Sequence, residues 1–333
     1  MLEREAPGAG QSAGVARGFR HLHATREQIE RAVRARALWD AWSARAGEPL
    51  IGSEGALRLG GDVEADAGAL RAAGVPASVV ASAGDRHPAL APDAGPLLWD
   101  PRGGAIRARA AIEWLCRELP GRIRRVEVRR IAPGRIETAD GPLVCGHVVL
   151  CAGAGTERLW PHVAMRRVVH LRVTFELRRG APEPPPGASW GAATWADRSA
   201  RFGASTYGVA DGPGRFALGL AELDVQPAPD DGAADTVPAG AELGAVRHRV
   251  HGYARAAFPG LGAPLEEVVR LLTVLPGGDE DRYVLHRGER LTVLAGHNLF
   301  KLAPLLGADV AAGASAGARL RSPPAGATPP PAK

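Results

Sequence analysis

The sequence predicts a mixed α/β fold in which an α/β part is interleaved with an antiparallel, β-rich part. Three observations predict it. The run 148–152 (VVLCA) is apolar at every position, as in a strand buried on both faces. Residues 168–178 alternate apolar and polar, as in a half-solvated antiparallel strand. Helical periodicity recurs before, between and after these strands.

In chain order, residues 26–46 place Ile29, Val33, Ala37 and Trp42 on one side of a helix. Thr25 with Gln28 makes a capping box at its start, and Gly47 and Pro49 end it. Residues 50–59 read as a short hairpin punctuated by Gly52 and Gly55. A helix over 107–119 buries Ala108, Ile112 and Leu115 and stops at Pro120-Gly121. Strands follow at 122–131, 134–138 and 143–151, the last two joined by a turn at Asp140-Gly141. Residues 182–187 and 226–240 are Pro/Gly-rich loops. Residues 242–257 read as a helix, 268–275, 283–286 and 291–295 as strands, and 303–318 as a final helix. The composition of 321–333 predicts a disordered tail.

A chain of 333 residues suggests two domains or one large one, and 45% hydrophobic residues suffice for a sizeable core. The net charge of +5 is too dilute over this length to point to nucleic acid. Of 41 basic residues only Lys301 and Lys333 are lysine, so an internal lysine is unusual here. Cys116, Cys145 and Cys151 show no metal or disulfide spacing. The start lacks the apolar core of a secretory signal, and no apolar run is long enough for a membrane helix. These features predict a reduced, cytoplasmic protein without membrane or nucleic-acid partners.

Several motifs invite a functional reading and each has a plainer one. Gly8 to Gly14 is glycine-rich, but no strand precedes it to form a dinucleotide-binding turn, so it reads as a loop. Ser189 and Ser315 each sit in GxSxG, yet neither has the strand-to-helix context of a nucleophile elbow. His248 and His251 share a helix face with no partnering ligand, and the extended His21–His23 pair is no better as a metal site. The arginines of 122–130 read as a solvated edge. Two charges stand out instead. Arg17 and Arg20 lie in a Gly-punctuated segment before a helix, and guanidinium forks suit carboxylates. Lys301 follows an apolar strand and precedes a helix, where ligands of α/β folds commonly sit. Together they propose a carboxylate site.

Taken in order, these segments resemble the D-amino-acid oxidase superfamily of flavoproteins, within it the sarcosine oxidase and N-methyltryptophan oxidase branch. Gln11 to His21 resembles the segment that links the FAD site to the first long helix, and Arg31 to Asp40 resembles that helix. Trp99-Asp100-Pro101 through Leu119, Thr138 to Gly155, and Val284 to Gly307 look like later family segments. The resemblance implies a doubly wound FAD-binding domain (1–54, 98–167 and 288–320) interleaved with an antiparallel-sheet substrate domain (55–97 and 168–287). It implies oxidation of a C–N bond of an amino acid or N-alkyl amino acid by hydride transfer to flavin. Arg20 and Lys301 match carboxylate anchors, and Arg17 matches an arginine beside the flavin. Glu3, Arg4, Ser12, Gly14, Val126, Gly153, Gly155, Gly296, Leu299 and Phe300 match cofactor-binding positions.

Three departures from the family pattern qualify these expectations. Leu2-Glu3-Arg4 resembles the end of the family's second strand, so the first strand and its GxGxxG loop are expected to be missing. Ala217 falls where sarcosine oxidases carry an oxygen-activating lysine, which makes an acceptor other than O₂ plausible. The flavin-linking cysteine of the branch falls near Thr273, so FAD is expected to be non-covalent. The competing expectations are a remnant that binds no FAD and, more distantly, a serine hydrolase using Ser189.

Overall fold

A computed structural model describes residues 1–178, 190–221, 242–276 and 282–319. The chain begins with strands β1 (Leu2–Glu3) and β2 (Ala16–Phe19), then helix α1 (Arg26–Ala46). β3 (Ala56–Leu59), α2 (Val63–Ala72), β4 (Ser78–Val80), β5 (Leu97–Asp100), β6 (Gly104–Arg107) and α3 (Ala108–Arg117) follow. Five short strands come next: β7 (Arg124–Arg125), β8 (Val128–Ala132), β9 (Arg135–Thr138), β10 (Gly141–Val144) and β11 (Val148–Leu150). After α4 (Thr156–Leu159) the chain runs through β12 (Arg166–Leu177), β13 (Thr194–Asp197), β14 (Thr206–Ala210) and β15 (Arg215–Leu220). It ends with α5 (Glu242–Ala257), β16 (Leu261–Val274), β17 (Tyr283–Arg287), β18 (Leu291–Gly296) and α6 (Ala303–Arg319).

The largest sheet has eight strands in the order β16-β12-β15-β14-β13-β3-β5-β4, antiparallel except for the β13–β3 pair. Period-2 alternation gives this sheet two distinct faces. Leu57, Leu171, Val173, Phe175, Trp195, Phe216 and Leu218 pack with Val250, Tyr253, Ala254 and Ala257 of α5. Fully burying a side chain of this size contributes about 1.5–3 kcal/mol, which makes this cluster a main source of stability. The opposite face is covered by the antiparallel β2–β6 ribbon, whose Ala16 and Ala105 pack on Val209 and Ala217. Behind the ribbon, Phe19, Trp39, Ile106, Trp114, Leu302 and Leu305 join α1, α3 and α6 in a second core.

The remaining strands are short. β1 pairs with β7 in parallel, β11 pairs with β18 in parallel, and β18 pairs with β17 antiparallel. Among the described residues no strand joins the β1–β7 pair to the β11–β18–β17 sheet. β8, β9 and β10 form a separate antiparallel meander.

Several sequence expectations need correction. Residues 50–59 are no hairpin: Ile51 bridges to Ile106 while β3 pairs with β5 and β13, so the two halves join different sheets. The strand expected over 122–131 is two strands in two sheets, and that over 143–151 divides into β10 and β11. Val149 is 45% exposed although Val148 and Leu150 are buried, so β11 is covered on one face only. β12 is the reverse case. From Val168 on it is largely buried on both faces, and on its polar side Arg172 reaches Ala16 O at the start of β2. The loops at 182–187 and 226–240, the tail and Ser189 lie outside the described residues.

Candidate functional site

The polar face of the large sheet is built by strand register. Arg172 on β12 stands across from Gly219 on β15, which stands across from Tyr207 on β14. His170, two residues before Arg172, stands across from Arg270 on β16. Gly219 makes room for the Tyr207 ring: a Cβ there would lie 2.6 Å from Tyr207 Cε1. That ring stacks on His170 with centroids 5.5 Å apart and an interplanar angle of 26°. Burial holds His170 neutral, with its pKa pushed down to about 4, and the positive charges of Arg172 and Arg270 act in the same direction. Burial also raises the Tyr207 phenol, against the pull of Arg172, Arg17 and Arg270.

Over this face lies the segment Gln11 to Phe19. Arg17 Nη2 donates to the carbonyls of Gln11 (2.9 Å) and Ala13, and its Nη1 donates to Ala16 O at 2.7 Å. Arg270 also donates to Ala13 O, and Arg172 donates to Ala16 O at 3.2 Å. The buried Arg172 is paired with Asp211, whose other oxygen accepts from the Thr174 hydroxyl at 3.1 Å. Gly14 has φ +112°, and a Cβ there would lie 2.5 Å from Arg270 Nη2. Gln11 Nε2 donates to Thr273 Oγ1 at 2.8 Å and also lies near Gly153, which has φ +54°. The Arg17 guanidinium carbon sits 6.0 Å from the Phe300 ring centre.

The predicted residues thus fall into separate groups. Gly14, Gly153, Arg17 and Phe300 come together around the Gln11–Arg17 segment. Arg20 lies near Arg58, whose pKa burial lowers, with the charges of Arg20 and Arg198 acting in the same direction against Asp66. Lys301, only 4% exposed, lies in the turn Leu299–Leu302, and its carbonyl accepts from Trp39 Nε1 at 2.8 Å. Phe300 stacks on Trp39 and, with Leu299, packs into the second core. A Cβ on Gly296 would lie 2.6 Å from Arg282 O, so strand packing alone requires that glycine.

Glu3, Arg4 and Val126 belong to the β1–β7 pair, where Val126 N donates to Glu3 O at 2.8 Å. Burial raises the pKa of the Glu3 carboxyl, while Arg4 is an exposed cation paired with Glu5. Ser12 is half-buried in the Gln11–Arg17 segment. Gly155 ends the turn before α4, and the fully buried Thr156 hydroxyl beside it has no hydrogen-bond partner among the described residues. Ala217 is fully buried in an alanine-rich cluster with Ala16 and Ala105. His21 is buried on Asp100, with Nδ1 to Oδ2 at 2.9 Å. No group of side chains suited to a metal ion occurs among the described residues.

Arg172, Arg270, Tyr207, His170 and Asp211 were not singled out by the sequence. The available signal was the polar set His170, Arg172 and Thr174 at alternate positions of an otherwise apolar strand.

A family model described as DAO, FAD dependent oxidoreductase, matches residues 1–312. No curated protein matches the chain. Among solved structures, the chain is similar to NikD, an unusual amino acid oxidase essential for nikkomycin biosynthesis. Identity is 21%, coverage is 94% of this chain and 86% of that one, and the TM-score is 0.75. L-proline dehydrogenase from P. horikoshii is 17% identical over 91% and 83% of the two chains, with a TM-score of 0.72. Glycine oxidase from Geobacillus kaustophilus is 20% identical over 95% and 87%, with a TM-score of 0.68. At these identities the likeness establishes a shared fold.

Proposed function

The chain belongs to the DAO family of FAD-dependent oxidoreductases, and from that membership we propose that it oxidises a C–N bond of an amino acid or N-alkyl amino acid. The residues present fit the cofactor. The half-buried Glu3 carboxyl suits ribose hydroxyls, and the unpartnered buried Thr156 hydroxyl beside Gly155 awaits a polar group. Gly14 and Gly153 hold positive-φ conformations that keep side chains out of the space around Gln11 and Arg17. Ser12, Val126, Gly296, Leu299 and Phe300 complete the set that would hold it. With Thr273 buried and bonded to Gln11 where the branch carries its cysteine, the attachment is non-covalent on this reading.

The chemistry FAD supplies when bound is acceptance of a hydride from the carbon beside nitrogen. The protein's own task is positioning. Arg20 and Lys301 would hold the substrate carboxylate, Lys301 from a turn tied to α1 through Trp39. The β2–β6 ribbon packs on this face of the large sheet through Ala16 and Ala105, and partial burial strengthens the charge interactions there. Arg17, anchored by three main-chain carbonyls, would present its cation at a fixed place beside Phe300. Neutral His170, stacked on Tyr207, lines the same face. The observation that carries the reading is this basic, buried sheet face lying directly under the Gln11–Arg17 segment.

Absorbance of the purified protein tests this reading. The visible bands of bound flavin, bleached by an amino acid under anaerobic conditions, are the expected result. A stable, folded and colourless protein that takes up no added FAD overturns the oxidoreductase reading.

A further inference from the structure

Three guanidinium groups on the covered sheet face share one carboxylate. Asp211 is committed to Arg172 and to the Thr174 hydroxyl. Arg17 and Arg270 meet no carboxylate at ion-pair distance among the described residues. Glu266, the other acid whose charge Arg270 feels, is paired with Arg215 at 2.6 Å. What Arg17 and Arg270 do have is backbone carbonyls: Gln11 O, Ala13 O and Ala16 O. Carbonyls satisfy hydrogen-bond geometry and leave the charge uncompensated. The cluster therefore carries two net positive charges in a place largely removed from water. Burying like charges together is costly unless an anion offsets them. Burial, then Arg270 and Arg172, pull the Arg17 pKa down to about 9, the same imbalance seen from one of its members.

We propose that Arg17, Arg172 and Arg270 form an anion subsite that takes a carboxylate, and that the amine substrate is therefore a dicarboxylic one. This rests on the amine-oxidising reading above for the identity of the ligand, whereas the charge imbalance stands without it. The subsite is separate from the Arg20 and Lys301 anchor. Arg20 follows Arg17 by three residues in an extended stretch, and the Arg17 guanidinium lies 6.0 Å from the ring of Phe300, the residue before Lys301. Three extended residues span at most about 10 Å, which a short dicarboxylate with one carboxylate at each place can bridge. Among the described residues Arg270 commits only Nη1, to Ala13 O, and its remaining donors suit a planar carboxylate better than a spherical ion.

The test follows the melting temperature of the purified full chain titrated with glutarate, butyrate or sulfate at constant ionic strength. Glutarate should stabilise saturably and at lower concentration than butyrate or sulfate. Arg270→Gln should raise its apparent Kd about tenfold, the effect of losing one charge-assisted hydrogen bond. Arg270→Lys, which keeps the charge and loses the fork, should fall between. Lys301→Met should weaken glutarate and butyrate alike. Glutarate binding that Arg270→Gln leaves unchanged overturns the subsite. Saturable sulfate binding with no preference for glutarate overturns the dicarboxylate assignment. Because binding is read without flavin, a colourless protein that still shows the Arg270 dependence keeps the subsite while the oxidoreductase reading fails.

Discussion

Lys301 is an ammonium on a flexible stem, almost wholly withdrawn from water, in a chain whose other internal cations are all arginine. If it anchors a carboxylate, Lys301→Met should cost carboxylate-bearing substrates about 2–5 kcal/mol in kcat/KM and neutral amines far less. Steady-state kinetics on a matched pair of substrates decides it, and equal loss on both sinks the assignment. Arg17, Arg20 and Lys301 were conspicuous in the sequence because charged residues in glycine-punctuated or strand-end segments are unusual. Arg172 and Arg270 were not. Alternation along a strand says which residues share a face, and a charged face ordinarily meets water. Here it meets β2, whose Ala16 lies 156 positions away from the Arg172 that bonds it. No local pattern reports such a contact.

α1 shows what local chemistry does determine. Its capping box is formed as read, Thr25 Oγ1 accepting from Gln28 N at 3.3 Å and Gln28 Oε1 from Thr25 N at 3.1 Å. Gly47 closes the helix at φ +72°. Thr25→Ala should lower unfolding stability by about 1 kcal/mol, measured by urea denaturation, with glutarate binding unchanged. A loss of binding in that variant would mean that α1 transmits more than stability. α2 had the same kind of signal, Asp62 capping Ala65 N at 3.0 Å before Val63, Ala67 and Leu70, and was missed because its apolar stripe is short. The error at 50–59 is of another kind. Gly52 and Gly55 mark a sharp bend correctly, but whether the flanking strands pair with each other is settled by β5, β6 and β13, all distant in sequence.

At the scale of the whole molecule, the core between the large sheet and α5 encloses a titratable group. His87 is 1% exposed, edge-on to Phe216 at 4.5 Å and tilted against Phe258 at 4.7 Å. Neither ring nitrogen has a partner among the described residues. Burial pushes its pKa down to about 3. In the unfolded chain it titrates near its usual value of about 6.5. The unfolded state therefore binds a proton that the native state refuses. Stability is fully present above about pH 6.5 and is lost as pH falls toward the folded value, by up to about 1.4 kcal/mol per pH unit. His170, with its pKa lowered to about 4, acts in the same direction. His87→Phe should flatten the fall in melting temperature between pH 6.5 and pH 4, and parallel curves for the two proteins would remove His87 from the account.

The bond from Trp39 to the Lys301 carbonyl has a consequence for redesign. Trp39 also stacks on Phe300 and meets Trp42 edge-on, and Trp42 rests on Trp114 of α3. The turn that carries Lys301 is keyed into an aromatic stack spanning two helices. Resizing Phe300 would require a compensating change at Trp39 or Trp42 in the same library.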